Sequence, residues 1–185
     1  MIISLEEFLT LNLKDEVFII ETDTVYGLGC LMNSIEGAKR ILKIKNRPEE
    51  KHFSILVSNL FQVESLTKNF KDSIEYANSY WPGAVTFIFE KSDKVPSFIS
   101  ADDTIGLRMP DNHRTLEVIE KFGPLIMTSV NKSGENAITS FADCLKFEKD
   151  VDYIVKGGDL KSIPSTVFDI KHHKTLRQGS VKINF

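Results

Sequence analysis

The run Glu16-Val-Phe-Ile-Ile20, followed by Glu21-Thr-Asp-Thr-Val-Tyr-Gly-Leu-Gly-Cys30, decides how this chain is read. Its first five residues are mostly apolar and β-branched, the pattern of a buried strand. The run then breaks into small polar residues and two glycines, Gly27 and Gly29. A strand ends this way where backbone and hydroxyls must come close to something. Thr22, Asp23 and Thr24 supply hydroxyls and a carboxylate there, and the glycines would leave the approach open. The plainer reading of the same residues is a turn between a strand and a helix, with Tyr26 in the core.

Working outward, a helix is predicted from Ser34 to Lys45. Asn33 caps it, Glu36 takes the capping-box position, and Ile35, Ala38, Ile41 and Leu42 form its apolar stripe. Its exit is basic (Lys39, Arg40, Lys43, Lys45, Arg47, then Lys51), and Pro48 stops the winding. Upstream, Ser4 to Leu11 reads as a short helix. Downstream, strands are expected at 54–57, 84–90, 104–109, 125–130, 153–155, 166–170 and 175–177, with the one at 84–90 covered on both faces. Two short helices fall between Leu60 and Tyr80, and another spans His113 to Phe122. A last short helix runs from Ser140 to Phe147, with Thr139 or Ser140 as its cap. Trp81-Pro82-Gly83 reads as a rigid corner. This irregular alternation predicts an α/β domain, a twisted mixed β-sheet with flanking helices.

A length of 185 residues favours one domain with a sizeable core. The net charge of −3 argues against a chain that holds nucleic acid by bulk charge, so any anion site must be local. Cys30 and Cys144 stand far apart without metal-ligand spacing, which fits a reducing, cytoplasmic setting. Acidic residues follow Met1 where a signal peptide would carry Lys or Arg, and no apolar run approaches the roughly 20 residues that cross a bilayer. No membrane partner is expected.

Hydroxyls, an amide or a cation recur wherever a strand ends. Thr22 and Thr24 follow the first strand. Arg108 ends the strand that starts at Thr104. Ser129, Asn131 and Ser133 follow the strand from Leu125, Ser165 and Thr166 open another, and Arg177 closes the last. In open α/β sheets the rim of strand ends is the usual ligand crevice. Pooled there, these groups make a pocket for a phosphate and a carboxylate, and a poor metal cage. Each has a plainer role too: a helix-dipole complement for the basic exit, a buried ion pair for Arg108, a capped turn for Ser129 to Ser133. Asp102 and Asp103 read as a loop tip, and the four histidines as surface. The chain has no Gly-x-x-x-x-Gly-Lys-Ser/Thr loop, no Gly-x-Gly-x-x-Gly and no Gly-x-Ser-x-Gly elbow.

Taken in order, these residues resemble the YrdC/Sua5 family, the threonylcarbamoyl-AMP synthases of the TsaC type. The likeness rests on Glu21 to Gly29, Lys45-Asn-Arg47-Pro48, Trp81-Pro82-Gly83 with Thr86, and Thr104 through Arg108 and Pro110. Ser129-Val-Asn131-Lys-Ser133-Gly134, Pro164-Ser165-Thr166-Val167 and Arg177-Gln-Gly179 complete it. Glu21 and Gln178 stand where the family has proline, and Lys51-His52-Phe53 where Lys-Pro-Leu is common; these exchanges are expected to loosen loops. The resemblance implies a single YrdC-like domain over 1–185 with a concave basic cleft, without the C-terminal extension of the longer Sua5 form.

It also implies an activity. L-threonine, bicarbonate or CO2 and ATP would give threonylcarbamoyl-adenylate and pyrophosphate, for the t6A modification of tRNA. Lys45 and Arg47 would be catalytic. Arg47, Lys51, Thr104, Asn131, Thr139 and Arg177 would hold ATP. Thr22, Thr24, Arg108, Ser129 and Ser165 would hold L-threonine. Mg²⁺ would accompany ATP, with no tightly bound cofactor, and downstream t6A-transfer proteins would take the product. The rival expectation is a non-enzymatic module that contacts tRNA or double-stranded RNA through the Lys39–Lys51 cluster.

Overall fold

The computed structural model describes residues 1–46 and 53–184. Its strands are β1 (Ile2–Ile3), β2 (Phe18–Ile20), β3 (Gly27–Leu31), β4 (Ser54–Leu56), β5 (Val85–Glu90), β6 (Thr104–Arg108), β7 (Leu125–Ser129), β8 (Tyr153–Val155), β9 (Thr166–Asp169) and β10 (Lys174–Arg177). They form one sheet in the order β1-β8-β2-β3-β7-β4-β6-β5-β9-β10. The pairs β1/β8, β2/β8, β4/β6 and β5/β9 are parallel and the others antiparallel, so the sheet is mixed, as expected. The α-helices are α1 (Leu5–Leu9), α2 (Ile35–Lys45), α3 (Leu60–Leu66), α4 (Ile74–Tyr80), α5 (His113–Phe122) and α6 (Phe141–Cys144).

Successive strand residues point to opposite faces, and the two faces differ. Ile19, Leu28, Ile126, Ile55, Leu107, Phe87 and Phe89 form one core with Ala38 and Ile41 of α2, Val63 and Leu66 of α3, and Ala77 of α4. On the opposite face, α1 and α5 bring Leu5, Phe8, Val118 and Ile119 against Phe18, Ile20, Leu56, Leu125 and Met127. The rest of that second face carries Gly27, Ser129, Ser54, Gly106, Thr86 and Arg108. It is floored by small and polar side chains, and there it sinks into a hollow.

Three local expectations change. Gly27 to Leu31 is a strand, not a turn into a helix. It pairs with both β2 and β7, and that pairing outweighs the low strand preference of glycine. Both glycines make room for Met127, and Gly27 also lines the hollow. A Cβ on Gly27 would lie 2.9 Å from Met127 Cγ, and one on Gly29 would lie 2.8 Å from Met127 Cε. Helix α2 is capped by Ser34, not Asn33: Ser34 Oγ accepts from the Gly37 N–H at 2.9 Å. Its far end is Asn46 in the left-handed region (φ 50°), a conformation asparagine tolerates. Strand β5 is not covered on both faces, because Thr86 looks into the hollow. The last helix reaches Phe147 as expected, α-helical over Phe141–Cys144 and 3-10 over Leu145–Phe147. Ser140 sits at its cap position without a side-chain bond, and the Phe141 N–H goes to Asp159 Oδ1 instead.

The two departures placed in described loops are each tied by side-chain contacts. Glu21 accepts from the Gly158 N–H at 3.0 Å and pairs with Arg114 at 3.2 Å. The Gln178 amide donates to the Gly179 and Val181 carbonyls at 2.9 Å each. Side-chain hydrogen bonds stand here where the family has a proline ring. His52 lies outside the described residues.

Candidate active site

The hollow is lined by Thr22, Thr24, Ser54, Thr86, Arg108, Ser129, Ser165 and Arg177, over a floor of Gly27, Leu56 and Met127. Its volume of about 160 Å³ is room for an amino acid and too little for a nucleotide as well. No carboxylate lines it among the described residues. The thiols stand apart: Cys30 and Cys144 are both pushed up to about 12 by burial, so neither is a thiolate at neutral pH.

Arg108 is the centre of the hollow's polar wiring. It ends β6, and the residue is 6% exposed. Nε donates to the Gly83 carbonyl at 3.1 Å and Nη1 to Thr24 Oγ1 at 3.0 Å, while Nη2 pairs with Asp23. A guanidinium has five N–H groups, so two remain for a ligand. Burial lowers the Arg108 pKa, Asp23 opposes the shift, and the nearby charge of Arg177 adds to it. The threonines in front are fixed too. Thr22 Oγ1 donates to the Val25 carbonyl at 2.7 Å and lies 3.1 Å from Thr24 Oγ1. On the other wall, Thr86 Oγ1 and Ser165 Oγ are 2.8 Å apart. Arg177 donates to the Ser165 carbonyl from Nε (3.0 Å) and Nη2 (2.8 Å). These contacts hold the hydroxyls and cations in place without a ligand, which is the preorganisation that electrostatic stabilisation requires.

A second hollow adjoins the first beyond β7. It is lined by Asn131, Thr139, Lys132, Asn136, Lys146 and Phe147, among others. Asn131 stands between the two. Lys45, 4% exposed, sends its ammonium to the Ser129 carbonyl (2.5 Å) and to the Asn131 carbonyl (3.1 Å) and Oδ1 (2.8 Å). Asn131 Oδ1 also accepts from Ser129 Oγ at 2.6 Å. Lys45 therefore braces the Ser129–Asn131 loop and brings positive charge beside it.

A family model described as telomere recombination, the Sua5/YciO/YrdC model, matches residues 11–179. The chain belongs to this family. It is 31% identical over 173 residues to the threonylcarbamoyl-AMP synthase of Pseudoalteromonas translucida, covering 89% of this chain and 91% of that protein. The structure superposes on Pyrococcus abyssi Sua5 in complex with L-threonine with a TM-score of 0.90 at 29% identity. That match covers 97% of this chain and 57% of the other, so the chain spans a little over half of that protein's length. Escherichia coli YciO matches with a TM-score of 0.84 at 26% identity, over 96% of this chain and 90% of that one.

Of the residues expected from the family motifs, Thr22, Thr24, Arg108, Ser129, Ser165 and Arg177 come together in the first hollow. Asn131 and Thr139 line the second. Arg177, expected on the nucleotide side, shares the Arg108 end instead. Thr104 lines neither, and its Oγ1 donates to Asp102 Oδ1 at 2.6 Å. Ser54 pairs with both Met127 and Gly106, and Ser129 and Thr104 each lie two residues further toward the same end of the sheet. Thr104 is thus two strand spacings, about 10 Å, from Ser129. Arg47 and Lys51 lie outside the described residues. Within the described part of the basic exit, Lys39 pairs with Glu36 and Arg40 with Asp152.

Sequence reasoning missed Ser54, Met127 and the Gly83 carbonyl, and it named Asp23 and Thr86 without pairing Asp23 with Arg108 or placing Thr86 in the hollow. Thr86 had a signal, a hydroxyl between the core residues Val85 and Phe87. Trp81-Pro82-Gly83 is more than a corner, since it presents the carbonyl that holds Arg108. Its Trp81 Nε1 donates to the Val85 carbonyl at 2.7 Å. Nothing local in the sequence couples residue 83 to residue 108.

Proposed function

We propose that this protein makes threonylcarbamoyl-adenylate and pyrophosphate from L-threonine, bicarbonate or CO2 and ATP, the activated intermediate for t6A modification of tRNA. The observation that carries the reading is the first hollow: buried hydroxyls, Arg108 and Arg177, and no carboxylate in its lining among the described residues. A relative with this fold is described as complexed with L-threonine, and several relatives are named for the reaction.

Threonine's carboxylate takes the two N–H groups of Arg108 not engaged by protein, a fork that lysine could not copy. Thr22, Thr24, Ser129 and Ser165 surround the rest of the amino acid. Its neutral amine adds to CO2 and gives up a proton, forming a carbamate. A carbamate oxygen then attacks the α-phosphorus of ATP, the bond from that phosphorus to the bridging oxygen breaks, and pyrophosphate leaves. The α-phosphate has to enter the hollow beside threonine, and Arg177 is the cation placed to meet it. The remainder of the nucleotide runs past Ser129 and Asn131 toward Thr139, with Arg47 and Lys51 completing the ATP set. Lys45 acts on the phosphates through the loop it braces. Positioning and charge stabilisation carry the rate. Mg²⁺ is bound through carboxylates and phosphates, and no carboxylate lines the first hollow among the described residues; it would come held by the phosphates and water.

The test is pyrophosphate release from ATP with and without L-threonine and bicarbonate, with L-serine as control. Release that requires both co-substrates and prefers threonine is expected. Release indifferent to threonine would overturn the reading.

A further inference from the structure

Strand β10 lies at the sheet edge and is exposed along its whole length. An arginine on such a strand ordinarily extends into solvent. Arg177 instead turns back over Ser165, and several features outside the hollow enforce this. The register steps between Thr175, opposite Phe168, and Arg177, opposite Val167. Leu176 is thus an extra residue, and a bulge of this kind re-aims the side chain beside it. The chain beyond the bulge is then tied down by one hydroxyl. Thr166 is 0% exposed; its Oγ1 accepts from the Gly179 N–H at 3.0 Å and donates to the Val181 carbonyl at 2.5 Å. Gly179 lies so tightly on the strand entry that a Cβ there would come 2.6 Å from the Ser165 carbonyl carbon. The Gln178 amide closes the same turn from outside.

We infer that the Thr166 hydroxyl and the 178–181 strap form a clasp that keeps Arg177 aimed into the hollow, making Thr166 and Gln178 positioning residues although neither lines it. This rests on the adenylation reading above. A hydroxyl can accept and donate at once. Valine has the same shape and does neither, leaving the part-buried Gly179 N–H without its acceptor and the Val181 carbonyl with the Gln178 amide as its remaining side-chain partner. The strap then loses its anchor, and the bulge that aims Arg177 loses its fixed end.

The experiment compares wild type, Thr166→Val, Thr166→Ser, Gln178→Ala, Arg177→Ala and the Thr166→Val/Arg177→Ala double variant. Each is measured for threonine-dependent pyrophosphate release, for urea unfolding, and for amide exchange in the 178–184 segment. Thr166→Val is expected to lower kcat/KM for ATP about 10-fold in the folded protein, and Gln178→Ala about 3-fold. Thr166→Ser recovers most of the loss, and Thr166→Val adds nothing on the Arg177→Ala background. Exchange in the segment quickens about 10-fold in Thr166→Val. The inference is overturned if the double variant loses activity additively, if the loss only tracks the unfolded fraction, or if exchange does not change. If Thr166→Val fails to fold, Gln178→Ala carries the same comparison. A wild type without threonine-dependent release would sink the adenylation reading alone, and exchange would still decide whether the clasp exists.

Discussion

Leu107 and Arg108 are consecutive residues of one strand, and they face opposite sides of one sheet. Leu107 is fully buried among Ile126, Ile55 and Phe87, beneath the helices α2 to α4. Arg108 is almost as buried, yet every atom of its fork is spoken for by Asp23, Thr24 and Gly83 or directed at the hollow. The same contrast repeats at Phe87 and Thr86. One face stores stability in apolar area. The other spends burial on polar groups, which is tolerable only because each is hydrogen-bonded.

The contrast can be broken at that first pair. Leu107→Ala should cost about 2–5 kcal/mol of stability by urea unfolding and leave the threonine KM of the folded protein unchanged. Arg108→Ala should lower kcat/KM for threonine about 100-fold, with ATP dependence far less affected. If the two variants had interchangeable effects, the division into a structural and a functional face would be wrong.

Gly27 sharpens the comparison, because it belongs to the functional face for a packing reason. Gly27→Ala drives a methyl into Met127 and should cost about 1–3 kcal/mol, with weakened threonine use. Adding Met127→Ala should return much of that stability; no recovery would mean the glycine serves something other than Met127. On the structural side, Ser34→Ala removes the cap of α2 and the bond to Asp15 at 2.7 Å. It should cost about 1 kcal/mol without altering either KM.

The smallest effect is at α1. The Ser4 N–H and hydroxyl hold the Glu7 carboxyl below its ordinary value of 4.5. A depressed carboxyl stabilises the fold fully above 4.5 and loses that contribution as pH falls through the lower folded value. Glu7→Gln should therefore lower stability slightly near neutrality, match wild type at low pH, and so flatten the acid limb of the stability–pH curve.

The periodic helices at 34–45 and 113–122 and the apolar strands at 16–20 and 125–130 were legible because burial leaves its period in the residues. Strand β3 was not, because its glycines answer to Met127, a hundred residues on, and glycine in isolation says turn. The strand β1 is two residues long and takes its state from parallel pairing with β8. In the hollow, the motif residues could be named one by one. Which hollow each lines could not: Arg177 and Arg108 share an end, whereas Thr104 sits beside neither.

By itself the sequence determined the mixed α/β class, the main helices and an inventory of hydroxyls and cations at strand ends, since these follow from local periodicity and side-chain chemistry. The tertiary structure alone decided which face of each strand is core and which is cleft. It also decided that Gly83 and Asp23 hold Arg108, and that Thr166 reaches Gly179. Strand register and long-range hydrogen bonds set those facts, and neither is encoded within any window of neighbouring residues.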